Sequence, residues 1–389
     1  MTHKADDSFF EEKKSWSQRK DEILGCYLMA YLPKIMTVGK PVLIVDGFAG
    51  PGTFHDGSNG SPLIIRDCIN QTNQKNLQSR QQVQLWCIEK TVSLHELLDK
   101  NLDAVDFAQS FHGTFASHSD AIASASKTHS VFLYVDPFTV EGLVWDELAT
   151  IYNGLNFGNS VEVLLNLNSV SFLRRARAAM RLELDELDPD IDSSDPVDAA
   201  HESLPSKEKL NAVAVGDWWQ ELVRERLEFG QEIEKFTELY CQRMKTWFNE
   251  VVFHGIKATP TSLPKYYLVF GTRSIHGLAL MNNEMVKSRR VVAEMAKPQE
   301  RTLFETRSED LVPDLDILPD AILVNCTTPI KRGDLIRQVI QQNFCKFDWS
   351  EIRGTIERLL KAGTLHSDSG KTRINDDNRV CSNKAAFSN

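Results

Sequence analysis

Short apolar runs alternate with helical stretches along the first half of the chain. The runs VLIVD, VQLWCIE, SVFLYV and VEVLLNL are mostly apolar, which predicts parallel strands buried on both faces. A further strand is predicted near residues 110–115. Between the runs, apolar residues recur at helical spacing, as Leu24, Leu28, Leu32 and Ile35 do before the first strand. Strands that alternate with helices predict an α/β fold with a doubly wound parallel sheet.

The strand pattern stops between about residues 171 and 250, which predicts a helical insertion in the sheet domain. Within it, residues 183–198 carry eight acidic and no basic side chains, a composition typical of a solvated loop. Strand patterns return in EVVFHGIKA and KYYLVFGTRS. We therefore expect a helical segment over residues 1–37 that packs on the sheet, and one sheet domain over residues 38–300.

The C-terminal end of the chain has a different pattern. A linker is predicted for residues 301–325, and residues 326–389 follow the order helix, turn, helix and short hairpin. That order is typical of a winged helix-turn-helix domain. From Thr328 onward there are 11 Lys and Arg against 7 Asp and Glu, so this piece is basic in an acidic chain. It either binds DNA or RNA or serves dimerisation and docking, and both alternatives are open.

Composition narrows the class of protein. The 389 residues are 42% hydrophobic and 25% charged, as in globular proteins, and no stretch has the roughly 18 apolar residues of a membrane helix. With its polar N-terminus, the chain is expected to be cytoplasmic, with no membrane contact. The seven cysteines are scattered without a Cys-x-x-Cys pair, so we expect buried thiols and neither disulfides nor a metal site. The net charge of −10 argues against a protein that coats nucleic acid over its whole surface.

A glycine-rich turn, DGFAGPG, follows the first predicted strand directly. It contains Asp46, Gly47, Phe48, Gly50 and Gly52. The glycines permit close approach of a ligand to the backbone, but their spacing does not match the dinucleotide fingerprint, and no Lys-Ser/Thr pair follows for a phosphate loop. A carboxylate before the first glycine repels phosphates and suits an ammonium group. This pattern favours S-adenosylmethionine over NAD or ATP, with an ordinary strand-to-helix turn as the alternative.

Two further acidic residues are candidates for the same cofactor. Glu89 ends the second predicted strand, where a carboxylate can accept both hydrogen bonds of a ribose diol, or pair with Lys90 instead. Its distance along the chain from Asp46 exceeds the about 20 residues of the dinucleotide fingerprint, which predicts an insertion before it. Asp120, after the third strand, is placed to contact an adenine amino group; the alternative is that its segment, SHSDAI, forms a helix cap.

The sequence Asp136-Pro137-Phe138 closes the fourth strand. An acid, a proline and an aromatic residue at the carboxyl end of a parallel strand can hold a planar amine, because the acid accepts N–H bonds while the ring stacks. The alternative is a strand-terminating turn with Phe138 in the core. Lys20, on the first helix, is placed to neutralise a cofactor carboxylate or to lie on the surface.

In their order along the chain, SWSQRKDEILGCYL, DGFAGPG, VDPF and YYLVFGTRSIHGLALM resemble the three-Cys-motif partner protein family, over most of residues 9–290. The resemblance implies a Rossmann-like domain similar to class I S-adenosylmethionine-dependent methyltransferases, including those that modify the N6 amino group of adenine. It also implies a partner protein that carries a three-cysteine motif and is similar to radical-S-adenosylmethionine proteins.

Carried onto this chain, the resemblance assigns roles to single residues. Asp46 and the glycines of the turn would surround the methionine end of the cofactor, Glu89 would hold the ribose, Lys20 the carboxylate, and Asp136 the target amine. The chain departs from the Asp-Pro-Pro-aromatic motif, since Asp-Pro-Phe-Thr places Thr139 at the stacking position. Either the substrate is not an adenine base, or the site binds the cofactor without transferring a methyl group.

Three hypotheses follow from the sequence. The first is a methyltransferase acting on a base amino nitrogen of nucleic acid, with the C-terminal domain holding the substrate. The second is a non-catalytic cofactor-binding or sensing subunit of the three-Cys-motif protein. A nicotinamide-dependent oxidoreductase is disfavoured, because the glycine spacing fails and Asp46 would repel a pyrophosphate.

Overall fold

The computed structural model describes residues 15–75, 83–182, 206–257, 262–295 and 315–387. The chain divides into two compact units, with the division between Arg273 and Ser274. The acidic run of residues 183–198, predicted as a solvated loop, lies outside the described residues.

The described part of the first unit is built from strands and helices that alternate, as the sequence predicts. Its helices are α1 (Ser15–Met36), α2 (Ser61–Lys75), α3 (Val92–Leu102), α4 (Ser119–Ser126), α5 (Trp145–Gly154), α6 (Ser169–Ala179), α7 (Lys207–Ala214), α8 (Trp219–Arg224) and α9 (Phe229–Met244). Its strands are β1 (Val42–Asp46), β2 (Val83–Glu89), β3 (Ala108–His112), β4 (Ser130–Val135), β5 (Val161–Leu167), β6 (Glu250–Lys257) and β7 (Pro264–Thr272).

The seven strands form one sheet in the order β3-β2-β1-β4-β5-β7-β6. Strands β1 to β5 pair in parallel, and β7 runs antiparallel to both of its neighbours. Every residue of β1, β4 and β5 is buried, because helices cover both faces of the central strands. The prediction of an α/β fold with a mostly parallel sheet is therefore confirmed.

The third strand lies slightly earlier than the sequence pattern indicated. It ends at His112, because Gly113 adopts a φ of +145° and turns the chain out of the sheet. As an edge strand it buries less of each side chain than the central strands do.

The predicted helical insertion is part of the core of the first unit. Phe172 of α6 stacks on Phe236 of α9 with ring centroids 4.2 Å apart, and it also contacts Trp219 edge-on. An ion pair between Arg177 and the fully buried Glu232 joins the same two helices. The insertion therefore contributes apolar contacts to the core, although its pattern lacks strands.

Helix α1 packs against the sheet, as predicted for the N-terminal segment. The Tyr27 ring contacts Phe132 of β4 and Phe270 of β7, at centroid distances of 5.7 and 5.5 Å. Its hydroxyl donates a hydrogen bond to the buried carboxylate of Glu162 on β5. These contacts fix the register of α1 on the sheet and so determine where Lys20, two turns earlier, is placed.

The second unit begins with a long helix, α10 (Ile275–Met295). It continues with α11 (Leu318–Val324), β8 (Ile330–Lys331), α12 (Arg332–Gln342), α13 (Trp349–Lys361), β9 (His366–Ser367) and β10 (Arg379–Cys381). The three short strands form an antiparallel sheet in the order β8-β10-β9.

The boundary between the two units, at residues 273 and 274, lies earlier in the sequence than the boundary predicted at residue 300. The Asn282 amide of α10 donates to the Phe347 carbonyl at 2.7 Å and accepts from the Cys345 amide at 2.9 Å, both in the second unit. The last part of the predicted linker is not a linker but helix α11, and its Leu318 and Ile322 side chains are buried. The rest of that linker, up to residue 314, is outside the described residues.

Two predictions from composition can be compared with the described residues. Within these ranges no helix is long and apolar enough to cross a membrane. All seven cysteines are free thiols, and six of them are buried. Cys26 is exposed, contrary to the expectation of burial, because it lies on the solvent side of α1 rather than on its sheet-facing stripe.

Candidate functional site

Three carboxylates and an amide lie at the carboxyl edge of the sheet. Asp46 ends β1, Glu89 ends β2, and Asp136 follows the last residue of β4. Asn166 precedes the last residue of β5, and the pairing of Val135 with Leu165 sets it beside Asp136. The strand order reverses between β1 and β4, and ligands of such sheets bind in the crevice at that position.

The glycine turn after β1 spans the ends of its two neighbouring strands. The Gly47 amide donates to the Tyr134 carbonyl of β4 at 2.9 Å, and the Ala49 amide donates to the Ile88 carbonyl of β2 at 3.0 Å. Gly50 and Gly52 have φ angles of +60° and +85°, which other residues rarely adopt. A Cβ at Gly47 would lie 2.9 Å from the ring of Phe115, so this glycine is needed for packing.

Glu89 holds the glycine turn in place. One carboxylate oxygen accepts from the Gly50 amide at 3.0 Å, and the other accepts from the Thr91 amide at 2.7 Å. A carboxylate has about four lone-pair positions, so capacity remains for further donors such as a diol. The Glu89 carboxylate thus binds the Gly50 and Thr91 amides, rather than Lys90 as in the alternative interpretation of the sequence.

Asp46 is fully buried, and its two oxygens differ. Oδ1 accepts from the Phe48 amide at 3.3 Å, whereas Oδ2 has no hydrogen-bond partner among the described residues. Burial raises the pKa of Asp46 to about 7, although the Ser61 side chain and the Phe48 amide oppose the rise. A cation at Oδ2 would supply the missing partner and favour the ionised carboxylate.

The buried Lys20 and the partly buried Asp136 form an ion pair. The same Asp136 oxygen accepts from the Tyr134 hydroxyl at 3.2 Å, and the other oxygen accepts from the Asn166 amide nitrogen at 2.6 Å. Burial by itself lowers the pKa of Lys20, but the charge and hydrogen bond of Asp136, together with the nearby Tyr266 and Asp21, outweigh burial and hold this pKa above its usual value. The Lys20 ammonium also lies 5.8 Å from the ring centroid of Tyr266. Lys20 is therefore not the surface lysine of the alternative interpretation.

The residues after Asp136 form a half-buried corner. A Cβ at Gly142 would lie 2.6 Å from Pro137 Cβ and 3.5 Å from the Phe48 ring, so a short 3₁₀ turn packs directly on both side chains. Phe48 in turn lies 6.0 Å from Phe115, centroid to centroid. Phe138 is half-buried beside this corner.

Asp120 is separated from these groups. It lies exposed in the first turn of α4. The N-cap of this helix is His118, so the segment SHSDAI does contain a helix cap, as the alternative expected, although Asp120 is not the cap residue. Its carboxylate makes neither a hydrogen bond nor an ion pair with any described residue. Its predicted contact with an adenine amino group stays a prediction.

The sequence interpretation missed Tyr134, Asn166 and Tyr266, which all surround the Lys20–Asp136 pair. Asn166 had a detectable signal, since an amide interrupts the apolar run VEVLLNL just before its end. A polar residue at the carboxyl end of a buried strand is a candidate for the ligand edge. In the described ranges no cluster of three or more His, Cys, Asp or Glu side chains could hold a metal ion.

No family model and no curated protein sequence matches the chain. Among solved structures, a protein from Legionella pneumophila is similar over 67% of this chain and 85% of its own, with 12% identity and a TM-score of 0.37. Human methyltransferase-like protein 13, in complex with SAH, is 10% identical over 75% of this chain and 98% of its own, with a TM-score of 0.34.

A putative caffeoyl-CoA O-methyltransferase from Staphylococcus aureus is 9% identical over 64% of this chain and 83% of its own, with a TM-score of 0.32. Identities and scores at this level do not transfer a cofactor or a substrate to this chain. The resemblance to the three-Cys-motif partner family stays a prediction from the sequence motifs.

Proposed function

We propose that the first unit binds S-adenosylmethionine at the carboxyl edge of its sheet and transfers the methyl group to an amino nitrogen of a nucleic acid base. The observation that carries the proposal is the Asp46 carboxylate, buried at the strand-order reversal with one oxygen unpartnered by the described residues. An unpaired buried acceptor costs about 1–3 kcal/mol, so a ligand that donates to it is favoured.

The groups around Asp46 fit the amino-acid end of this cofactor. An ammonium group donates N–H bonds and carries the positive charge that Asp46 Oδ2 lacks. The glycine turn, with Gly50 and Gly52 at positive φ, lets the ligand approach the backbone. A pyrophosphate in the same place would be repelled by Asp46, which disfavours a nicotinamide dinucleotide.

The rest of the cofactor is assigned to neighbouring residues. Glu89 retains lone pairs for the ribose diol while it holds Gly50. Lys20, which pairs with Asp136 at this edge of the sheet, is the cation assigned to the cofactor carboxylate. When bound, the cofactor supplies an electrophilic methyl on a sulfonium; transfer forms an N–C bond, leaves the S–C electron pair on sulfur and releases a proton from nitrogen to water.

The acceptor side of the proposed site is the corner formed by Asp136, Pro137 and Phe138. Phe138 lies half-buried next to the end of β4, where a planar group can stack, and Pro137 directs the chain away from the sheet. These residues position the acceptor, and positioning is the main contribution that this reaction needs from a protein.

The second unit is proposed to be a winged helix-turn-helix domain that holds the nucleic acid. The element order α11-β8-α12-α13-β9-β10 supports this proposal, in which α13 is the second helix of the turn and residues 368–378 are the loop between β9 and β10. Arg358 and Lys361 on α13, and Lys371 and Arg373 in the loop, are exposed basic side chains. Exposed Lys and Arg are the groups that contact phosphates.

A non-catalytic role is the second candidate, and one observation favours it. The Asp136 carboxylate already accepts from Lys20, Tyr134 and Asn166, so it has little capacity left for a target amine. In that case the chain binds the cofactor as a sensing subunit and acts with a partner protein that carries a three-cysteine motif.

Methyl transfer separates the two candidates. The purified chain is incubated with S-adenosylmethionine carrying a labelled methyl group and with tRNA, rRNA, or double-stranded DNA, and base-bound label is measured. Label on one of these, lost in Phe138→Ala while cofactor binding is retained, supports the enzyme. Cofactor binding without label on any of them, with or without the co-purified partner, supports the sensing subunit and overturns the enzyme.

A further inference from the structure

Asn166 has an orientation that is fixed by its neighbour. Its amide nitrogen donates to Asp136 Oδ1 at 2.6 Å. A carboxylate only accepts hydrogen bonds at neutral pH, so this contact determines which end of the amide is nitrogen and which is oxygen. The Asn166 carbonyl oxygen therefore faces away from Asp136.

That oxygen is buried without a partner. Asn166 is 8% exposed, and its Oδ1 accepts no hydrogen bond from the residues of the described ranges. Asp46 Oδ2, at the end of β1, is likewise a buried side-chain oxygen without a hydrogen-bond partner among the described residues. The two acceptors lie on either side of the Lys20–Asp136 pair, whose charges both act on the pKa of Asp46.

The two orphaned oxygens differ in charge. Asp46 is a carboxylate and suits a cation, whereas the amide oxygen of Asn166 suits a neutral N–H donor equally well. Asp136 has little capacity left for a further donor, because one of its oxygens accepts from both Lys20 and Tyr134 and the other from Asn166. The acceptor at this corner with no hydrogen bond from the described residues is therefore the Asn166 carbonyl oxygen.

We infer that the carbonyl oxygen of Asn166 accepts an N–H of the group to be methylated, so that the acceptor is an amine held between β4 and β5. The inference rests on the proposed function and names the contact that selects the acceptor. A neutral amine can donate one N–H to Asn166 and still direct its lone pair at the methyl group. A carbon acceptor has no N–H or O–H to give, and a hydroxyl has only one hydrogen, which is lost on transfer.

Sinefungin tests this contact without a known acceptor. It carries a carbon-bound amino group in place of the methylated sulfur, while S-adenosylhomocysteine has the same scaffold without that group. Dissociation constants of both are measured by calorimetry for the full chain and for Asn166→Leu. We expect the wild-type chain to prefer sinefungin by about tenfold, the value of a charge-assisted hydrogen bond, and Asn166→Leu to lose that preference with little change for S-adenosylhomocysteine.

A matched control is Ser130→Ala. Ser130 is also fully buried with an oxygen that lacks a partner among the described residues, but it lies at the opposite end of β4. The preference for sinefungin should be unchanged in this variant. If Asn166→Leu does not fold, Asn166→Ala is measured in the same way, with circular dichroism as the check of folding.

The possible outcomes distinguish a failure of the Asn166 contact from a failure of cofactor binding. If neither compound binds the wild-type chain, the proposed function and the inference both fail. If both bind and the preference is absent in the wild-type chain or persists in the Asn166 variants, cofactor binding stands and the role of Asn166 is overturned.

Discussion

Lys20 of helix α1 and Asp136 after strand β4 form a largely buried ion pair at the carboxyl edge of the sheet, with side chains 10% and 16% exposed. The pair connects a residue near the start of the chain to one 116 positions later. It ties α1 to the end of β4, and Tyr134 and Asn166 complete the set of donors to Asp136. The charge of Asp136 is thus fully compensated as long as Lys20 is present.

Lys20→Met is expected to destabilise the chain by about 3–5 kcal/mol, because it leaves the Asp136 charge buried and uncompensated. The free energy of unfolding in urea measures this, and adding Asp136→Asn should recover part of the loss. Lys235→Met is the control, since Lys235 and its partner Glu225 are 43% and 41% exposed at the side chain. Such surface pairs contribute about 0–1 kcal/mol. Equal losses in both lysine variants would contradict the structural role of the buried pair.

Asp46→Asn is expected to stabilise the chain at about pH 8 and not at about pH 4, because the pKa of Asp46 is raised to about 7 by burial. The unfolded carboxyl has a pKa of about 3.9, so the folded state binds more protons between these values. Stability contributed by the protonated group is present below the unfolded pKa and is lost as the pH rises to about 7. The gain of the variant above pH 7 is of the order of a few kcal/mol at most.

Thermal unfolding across this pH range checks the prediction for Asp46. Glu162→Gln provides the comparison, because burial also raises the pKa of Glu162 to about 7 and Tyr27 can still donate to the amide oxygen. The stability of both variants relative to the wild-type chain should increase with pH, but only Asp46→Asn should weaken cofactor binding. A variant curve parallel to that of the wild-type chain would show that Asp46 does not titrate in this range.

Glu89→Gln is expected to weaken binding of the nucleoside part of the cofactor by about tenfold. The amide of glutamine offers a single acceptor oxygen, so the Gly50 and Thr91 amides can no longer both be satisfied. Calorimetry with methylthioadenosine, which lacks the amino-acid end, measures the effect. Glu96→Gln, an exposed change on α3, should leave the affinity unchanged.

Gly47→Ala and Gly354→Ala should change stability in opposite directions. A methyl at Gly47 meets the Phe115 ring at 2.9 Å, and overpacking of this kind costs about 1–3 kcal/mol. Gly354 lies exposed within α13 with open space around its Cβ position, so alanine there should stabilise by about 0.5–1 kcal/mol. Urea unfolding measures both, and a stabilised Gly47→Ala chain would be inconsistent with the close approach of Phe115.

Nucleic acid binding, if it occurs through the second unit, should depend on salt. Replacing Lys361, Lys371 and Arg373 by alanine should weaken binding of a duplex and lower the slope of log affinity against log salt by about 0.7–0.9 for each lost phosphate contact. Fluorescence anisotropy with a labelled duplex measures the slope. Lys127→Ala, an exposed change in the first unit, is the control. An unchanged slope in the triple variant would place the contact elsewhere.

The sheet and the edge where the site forms could be predicted from sequence, because buried parallel strands leave a strong apolar signal. Asp46, Glu89 and Asp136 each end or follow such a strand, so their meeting at one edge follows from the fold. The partners of these carboxylates could not be predicted in the same way. Lys20 meets Asp136 only because Tyr27 packs α1 on Phe132 and Phe270, which is a tertiary contact.

The division of the chain was harder to predict for a similar reason. The helical pattern of α10 follows β7 without a break, so it looks like the next element of the sheet domain. It is tied to the second unit by side-chain contacts, such as those of Asn282 with the backbone at Cys345 and Phe347 and of Arg290 with Asp348 and Glu351. Contacts of this kind leave no periodic pattern in the sequence.

Calorimetric titration of the full chain with S-adenosylhomocysteine tests directly whether the carboxyl edge of the sheet binds S-adenosylmethionine. We expect saturable binding of one molecule per chain, no binding of NAD, and a loss of affinity of about tenfold or more in Asp46→Asn at about pH 8. Absence of binding, or binding that Asp46→Asn leaves unchanged, would contradict the assignment of this edge of the sheet to S-adenosylmethionine.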